Sequence, residues 1–275
     1  MTNLLEQSKK IKWLMQTNLL SYDNIAELQK VFYENAIDWT ECTVIPFSED
    51  IEIHGEIDSD LIIPYGSTKL TKLALKKNWK GVFFDYNNFR INTWNKNRTD
   101  MLNQDCIFST VKDISSIPAI FNAKDDELFF IRPVMDLKEF NGTVTTAKEI
   151  KNWMNSIESL SFDISSDCEI IISHPKKLTN EARYFIVGGK VVSGSYYRIY
   201  GQLLAQPVMF DNVIEDIQKL ADKWLPNSTC VMDVALVDDE YKVIEFNCFN
   251  SSGFYKNDIN KIVMAVTNQL RNKNG

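Results

Sequence analysis

The stretch VMDVALVDD (231–239), followed directly by EYKVIEFN (240–247), decides the fold of this chain. The two segments are predicted to form a β-hairpin whose turn holds the acidic residues 238–240. In that register Asp233 lies directly opposite Glu245 on the neighbouring strand. The hairpin therefore places two carboxylates side by side.

Strand alternation then assigns every side chain of the hairpin to one of two faces. The register pairs Val237 with Tyr241. One face is predicted to carry Val231, Asp233, Ala235 and Val237 together with Tyr241, Val243, Glu245 and Asn247. The other face is predicted to carry Met232, Val234, Leu236, Ile244 and Phe246.

Two facing carboxylates call for a cation between them, because like charges directly opposite each other destabilise a sheet. With the amide of Asn247, the carboxylates of Asp233 and Glu245 form an oxygen-rich set. Such a set suits Mg²⁺, which takes one or two carboxylates and leaves its other positions to water and substrate phosphates. The alternative is that these acidic residues are only the solvated face of a half-exposed sheet.

An Asp on one strand followed by Glu-x-Asn at the end of the next, here Asp233 and Glu245-Phe246-Asn247, resembles the Mg²⁺-binding signature of the ATP-grasp superfamily. The resemblance implies a fold of two α+β lobes that hold a nucleotide between two sheets, preceded by a small α/β N-terminal domain. We expect residues 1–95 to form the N-terminal domain, 96–167 the small lobe, and 168–275 the large lobe with the metal site.

The phosphate-binding residues are predicted in and after the strand ELFFIRPV (127–134). Arg132-Pro133 resembles a strand-ending Lys-Pro of the family with Arg in place of Lys, which implies that Arg132 contacts ATP phosphates; a guanidinium binds phosphate oxygens at two points and keeps its proton. Lys138, in the following loop, is a second phosphate candidate or a surface lysine.

The strand CEIIISH (168–174) resembles the family's interlobe hinge, where backbone groups meet adenine. The resemblance assigns Ile172 and Ser173 to the nucleotide and Glu181 to the ribose. Arg183 shares a face with Glu181, since alternation sends the intervening side chain to the other side. The alternative for Glu181 and Arg183 is an exposed ion pair of little energetic weight.

A catalytic role is predicted for Arg183 and Arg198, which ends the strand KVVSGSYYR (190–198). In the family, basic residues at that place commonly stabilise the transferred phosphate or acyl phosphate, and such catalysis is mostly placement and charge neutralisation. With Arg132, these arginines look like a divergent bacterial and phage branch of the superfamily that is described by its arginine and lysine signature.

This resemblance implies an ATP- and Mg²⁺-dependent ligase that activates a carboxylate as an acyl phosphate for attack by an amine or a similar nucleophile. The donor and acceptor are not specified by the sequence. Two alternatives stay open: a kinase that passes the γ-phosphate to a hydroxyl, and a catalytically silent nucleotide-binding module.

Composition is consistent with an ordinary globular protein. The chain has 275 residues, of which 44% are hydrophobic, and no stretch approaches the roughly 20 apolar residues that cross a bilayer. Its start, MTNLLEQSKKIKW, lacks the apolar region of a secretory signal, so we expect a cytoplasmic protein. Five scattered cysteines and two histidines give little support to a disulfide framework or a zinc site. The net charge of −7 disfavours broad binding to nucleic acid but leaves a local basic groove open.

The first third alternates strand and helix patterns, which predicts a small domain with a mainly parallel sheet. Ser21 or Asp23 is expected to cap a helix that begins at Tyr22. The loop Pro64-Tyr65-Gly66-Ser67 is a candidate substrate contact or an ordinary strand-to-helix turn. The segment GVFFD (81–85) is predicted to be a strand. Further along, Thr145 or Thr146 with Glu149 predicts a capping box, and Gly188-Gly189 predicts a tight hairpin.

Overall fold

The computed structural model describes residues 10–45, 48, 50–59, 61–137, 140–152 and 164–274. Within these ranges helices pack around three β-sheets. Lys138 lies outside the described residues, so its role stays a prediction. No helix in these ranges has the length and apolar character needed to cross a membrane.

The first sheet has the strand order β3-β2-β1-β4 and is mainly parallel, as predicted. Its central strand β1 runs parallel to both neighbours, and only β3 is antiparallel. Ser21 and Ser67 cap the two helices with their hydroxyl groups, which accept from the backbone N–H three residues on. The strands are β1 (Lys12–Gln16), β2 (Trp39–Val44), β3 (Ile51–Ile53) and β4 (Ile62–Tyr65), and the helices are α1 (Tyr22–Glu34) and α2 (Thr68–Lys76).

The predicted strand at 81–85 is wrong, because an asparagine side chain takes the place of a strand neighbour. Asn250 accepts from the backbone N–H of Phe83 at 2.8 Å and donates to the carbonyl oxygens of Gly81 at 2.9 Å and Pro64 at 2.7 Å. Asn250 is 1% exposed, so these three bonds satisfy buried polar groups that a ladder would otherwise have paired.

The second sheet has the order β5-β8-β6-β7 and is antiparallel. Its last strand in sequence, β8, lies beyond the predicted boundary at 167/168 but belongs to this sheet, so we propose that the small lobe extends through Ser173. The strands are β5 (Ile107–Thr110), β6 (Leu128–Pro133), β7 (Thr143–Thr146) and β8 (Glu169–Ser173), accompanied by the helices α3 (Ile91–Asn97), α4 (Pro118–Phe121) and α5, which is described over 147–152.

The predicted capping box at the start of α5 is present. Thr146 Oγ1 accepts from the backbone N–H of Glu149 at 3.2 Å, and the Glu149 carboxylate accepts from the backbone N–H of Thr146 at 2.9 Å. The Thr145 hydroxyl also donates to this carboxylate, at 2.7 Å. Together these donors, the Thr146 N–H first, lower the pKa of Glu149 to about 2.

We therefore expect Glu149 to give this helix start an acid-sensitive contribution to stability. Because the folded pKa lies below the ordinary value of 4.5, the contribution is fully present above that value and is lost as the pH falls through about 2. An NMR titration should find the depressed pKa. Unfolding of Glu149→Gln, which retains the hydrogen-bonding geometry, should depend less on pH in this window than unfolding of the unmodified chain. A Glu149 carboxyl that titrates at its ordinary pKa would contradict this prediction.

The third sheet has the order β11-β10-β9-β12-β13, and all its pairings are antiparallel. The turn at Gly188-Gly189 is present, with positive φ at both glycines. Strand β11 was not predicted from the sequence. The strands are β9 (Asn180–Val187), β10 (Lys190–Ile199), β11 (Gln202–Pro207), β12 (Cys230–Val237) and β13 (Glu240–Asn247), and the helices are α6 (Asp211–Ala221) and α7 (Ile259–Asn274).

The acidic hairpin forms, but its register near the turn differs from the prediction. The turn is the two-residue Asp238-Asp239, both with positive φ, so Val237 pairs with Glu240 and not with Tyr241. A bulge in β13 then adds one residue, and Asp233 faces Glu245 as predicted.

The bulge moves two side chains to the face opposite the one predicted. Tyr241 now pairs with Leu236 and Val243 with Val234. Val243 is completely buried in the apolar cluster that contains Met232, Val234 and Phe246. The predicted placement of Tyr241 and Val243 beside Asp233 is therefore wrong, whereas that of Glu245 and Asn247 holds.

Two apolar cores connect the sheets. One cluster joins the second and third sheets through Ile171, Tyr184 and Phe246. Another joins the first sheet to the third and to α7, with Trp13, Phe185 and Phe249 among its fully buried rings. Packing of this kind holds the ends of β6, β12 and β13 close together.

Candidate functional site

Two β-bulges shape one face of the third sheet. The bulge in β13 directs Glu245 to the face of Asp233. A second bulge, in β10, falls between Tyr196 and Arg198, and both Tyr197 and Arg198 contact the side chain of Glu181 on β9. Bulges re-aim side chains and are common beside active sites. Here they gather polar residues that strict alternation would separate.

Asp233 and Arg183 form a buried two-point ion pair across β12 and β9. Nε and Nη2 of Arg183 donate to the two carboxylate oxygens of Asp233, each at 2.8 Å, and the side chains are only 11% and 4% exposed. Burial alone would lower the pKa of the Arg183 guanidinium, but the Asp233 carboxylate outweighs this and raises it above its ordinary value. Asp233 is therefore not part of a solvated face, and that alternative is wrong.

Glu245 is held by an arginine from the other lobe. Nη1 of Arg132, on β6 of the second sheet, donates to the Glu245 carboxylate. The Arg132 guanidinium also lies over the ring of Trp94 at 5.9 Å, and its Nε donates to the carbonyl oxygen of Pro133 at 3.2 Å. Its Nη2 is buried and has no hydrogen-bond partner among the described residues. A buried cationic donor in that condition is suited to an anionic ligand oxygen.

Glu181 forms a third acidic centre, at the far side of the same face. Its carboxylate accepts from the hydroxyl of Tyr197 at 3.1 Å and from Nη1 of Arg198 at 3.3 Å. Glu181 and Arg183 do not pair with each other, and each is 9% exposed, so the exposed ion-pair alternative is wrong. The Arg198 side chain remains 43% exposed and is accessible to a ligand.

Asn247, the third predicted metal ligand, joins the same cluster. Its Nδ2 lies 3.3 Å from an oxygen of Asp233. Within the described ranges no three His, Cys, Asp or Glu side chains converge as a metal-binding group. Two carboxylates and one amide nevertheless fit Mg²⁺, which requires no more than one or two carboxylates from the protein.

The predicted hinge residues lie apart from this cluster. Ile172 is paired on both sides, with Ile107 of β5 and Ile131 of β6, so its backbone is committed to the sheet. Ser173 has a neighbour on one side only, and its hydroxyl donates to Asn103 at 3.1 Å. Ser173 and the residues after it are therefore better placed than Ile172 to offer backbone groups to a ligand.

The loop after β13 brings two residues that the sequence analysis missed. Arg183 donates to the carbonyl oxygen of Gly253 at 3.2 Å and lies over the ring of Tyr255 at 5.1 Å. Tyr255 stacks on Tyr197 with ring centroids 5.0 Å apart. Burial raises the pKa of both phenols, so both hydroxyls stay protonated near neutral pH. Neither tyrosine had a sequence signal, because Tyr197 depends on the bulge and Tyr255 on a positive φ.

The first sheet anchors this loop. The backbone N–H of Gly66 donates to the carbonyl oxygen of Asn250 at 2.9 Å, and the Tyr65 hydroxyl donates to that of Ser252. On the other side, Asp136 accepts from the backbone N–H of Cys248 at 2.7 Å. The predicted loop at Pro64–Ser67 thus touches the site region through the segment that follows Asn247.

Comparisons with known proteins agree with this geometry. Residues 102–265 match a family model described as an ATP-grasp domain, family 2 of the clade with the arginine and lysine signature. A comparison with curated proteins found no match.

Several solved structures share the fold at low sequence identity. D-alanine–D-alanine ligase from Bacillus anthracis is 12% identical, with a TM-score of 0.56 over 97% of this chain and 100% of that one. The ATP-grasp ligase PsnB in complex with a minimal precursor is 10% identical, with a TM-score of 0.55 over 95% and 99%. D-cycloserine synthetase DcsG is 8% identical, with a TM-score of 0.56 over 94% and 99%. These likenesses confirm the fold that the resemblance implied.

Proposed function

Because the chain belongs to the ATP-grasp superfamily, in family 2 of the clade with the arginine and lysine signature, we propose that it is an ATP- and Mg²⁺-dependent ligase that activates a carboxylate as an acyl phosphate and joins it to an amine or a similar nucleophile. One observation carries this proposal. Asp233 and Glu245 face each other at a bulge, and each is held by an arginine, Arg183 from the same sheet and Arg132 from the opposite lobe. Acidic and cationic groups therefore meet at the junction of two sheets, where the family holds its nucleotide.

Asp233, Glu245 and Asn247 would hold Mg²⁺. A carboxylate has about four lone-pair sites, so each acid can keep its arginine and still offer an oxygen to a metal. The arginines serve as counter-charges when no divalent ion is bound, which answers the electrostatic problem of two facing carboxylates.

ATP would lie between the second and third sheets and supply the phosphoryl group. The orphaned Nη2 of Arg132 is aligned with this role, since a phosphate oxygen would satisfy it. Ser173 and Glu181 would bind the nucleoside, with Ile172 supporting the hinge through its place in the sheet. Lys138 is retained as a second phosphate contact on its sequence match alone.

Arg183 and Arg198 would act on the reacting groups. Arg198 is half exposed beside Glu181 and Tyr197, and it is suited to bind the substrate carboxylate and to neutralise charge on the phosphate as it transfers. Arg183 is fixed by Asp233, Gly253 and Tyr255, so it would orient the acceptor side of the site without a conformational search.

Hydroxylamine trapping tests this proposal without knowledge of the acceptor. The purified chain is incubated with ATP, Mg²⁺, hydroxylamine and a panel of carboxylates that begins with D-alanine and peptides, in view of the structural neighbours named above. A hydroxamate that requires both ATP and Mg²⁺ is the expected result, because hydroxylamine captures an acyl phosphate.

The same purified chain is then supplied with ATP and a cell extract, and the products are read by mass spectrometry. The ligase predicts ADP, inorganic phosphate and a condensation product that has lost one water. A phosphorylated acceptor would identify a kinase instead. Nucleotide binding that does not respond to Mg²⁺, with no turnover of any acceptor, would identify a silent binding module.

A further inference from the structure

Strand β11 is an open edge of the third sheet. All six of its residues, Gln202–Pro207, are exposed. Leu203 and Leu204 point to opposite faces of the strand, and they are 80% and 51% exposed, so neither face of β11 is covered. No described residue pairs with the outer backbone groups of this strand.

The opposite edge of the same sheet is protected. Along β13, the backbone N–H of Leu102 donates to the carbonyl oxygen of Val243 at 2.8 Å, and the N–H of Val243 donates to that of Asp100 at 2.9 Å. Natural proteins cover, shorten or charge their sheet edges, because an open edge is a template for another chain. The structure applies one of these devices to β13 and none of them to β11.

The exposed edge is also apolar and uncharged. The segment IYGQLLAQPVMF (199–210) has no charged residue, although at the chain's overall 24% a stretch of this length would carry about three. Beside the strand, Tyr200, Met209 and Phe210 are 78%, 77% and 65% exposed. Together with the two leucines they form an apolar strip that is unusual for an isolated monomer.

We propose that β11 pairs with β11 of a second copy of this chain, antiparallel and about a two-fold axis, to make one continuous sheet across a dimer. In such a pairing each residue faces a residue of the same short segment, so any charge near the axis would face a like charge. The absence of charge from 199–210 removes that conflict.

Symmetry favours a second copy over an unrelated partner. An isologous contact uses the same open edge in both copies and leaves no further edge of this sheet to extend, since β13 is covered. Assembly therefore closes at two chains. A charged peptide would find no complementary charge along this strand.

Hydrodynamic mass provides the test. In light scattering and sedimentation velocity, the full chain is expected to approach twice its 31.8 kDa as the concentration rises. Leu204→Lys places a charge at the centre of the contact, so its dissociation constant should rise by at least about tenfold. Val144→Lys is the matched control, since Val144 is 50% exposed on β7, an edge strand of the second sheet. This variant should remain dimeric.

Cross-linking tests the register. With the axis between residues 204 and 205, Leu204 of one copy faces Ala205 of the other, at a separation that a disulfide can span. The double variant Leu204→Cys/Ala205→Cys should form a linked dimer on mild oxidation, whereas Val144→Cys/Thr145→Cys should not. Circular dichroism establishes that each variant is folded.

Three outcomes overturn this proposal: a chain that stays monomeric at every concentration, a dimer that Leu204→Lys leaves intact, or an assembly that grows beyond two copies. Because none of these measurements uses ATP, the result is independent of the proposed ligase activity.

Discussion

Glu245→Gln is expected to reduce ATP- and Mg²⁺-dependent turnover by at least about 100-fold. Glutamine has nearly the same size as glutamate and still offers an oxygen to Nη1 of Arg132, so the contact between the lobes is retained in shape. What disappears is the negative charge that would balance the metal. Nucleotide affinity measured by calorimetry should therefore lose most of its dependence on Mg²⁺, while binding of ATP without the metal changes less.

Glu240→Gln is the matched control for this experiment. Glu240 lies on the same strand but is exposed, where it pairs with Lys242 at 2.7 Å and touches none of the candidate ligands. Its substitution should leave turnover unchanged within about twofold. If Glu245→Gln also retained full activity at saturating Mg²⁺, the assignment of the metal to this hairpin would have to be abandoned.

The position of Glu245 was predictable from the sequence, but for reasons that were only partly right. The predicted turn was one residue too long, and the bulge in β13 adds one residue back, so the pairing of Asp233 with Glu245 survived two compensating differences. The bulge is set by tertiary structure, because burying Val243 in the core while keeping Glu245 on the site face requires it. Alternation alone contains no signal for such a step.

The arginine partners of the two carboxylates were beyond sequence reasoning. Arg132 was assigned to phosphates from a two-residue match, and its ion pair with Glu245 spans 113 positions and two sheets. Such a contact depends on how one sheet packs against another, which local patterns do not encode. The same holds for Asn250, whose polar loop context suggested a substrate contact although its side chain bonds the first sheet. Capping residues such as Ser21 and Ser67 were predictable because their partners lie three residues away.

Asp233→Ala is expected to destabilise the folded chain by about 3–5 kcal/mol, because it leaves the buried guanidinium of Arg183 without its two-point partner. Denaturation is measured in EDTA and without nucleotide, so loss of a metal ligand does not contribute. Arg183→Met should also be destabilising, since Asp233 then faces Glu245 with no guanidinium on β9 to neutralise it. The double variant removes both charges, and its cost should fall below the sum of the single ones by at least about 2 kcal/mol.

A second cycle on the same hairpin separates burial from charge. Glu240 and Lys242 also pair, but Glu240 is 71% exposed, and this pair should show little or no coupling. Equal coupling in the two cycles would mean that Arg183 and Asp233 behave as a surface pair, contrary to their burial. Strong coupling confined to Arg183 and Asp233 has a functional consequence. A divalent ion that binds Asp233 then competes with, or shares, a contact worth several kcal/mol, so metal affinity should increase when Arg183 is replaced by methionine even as turnover falls.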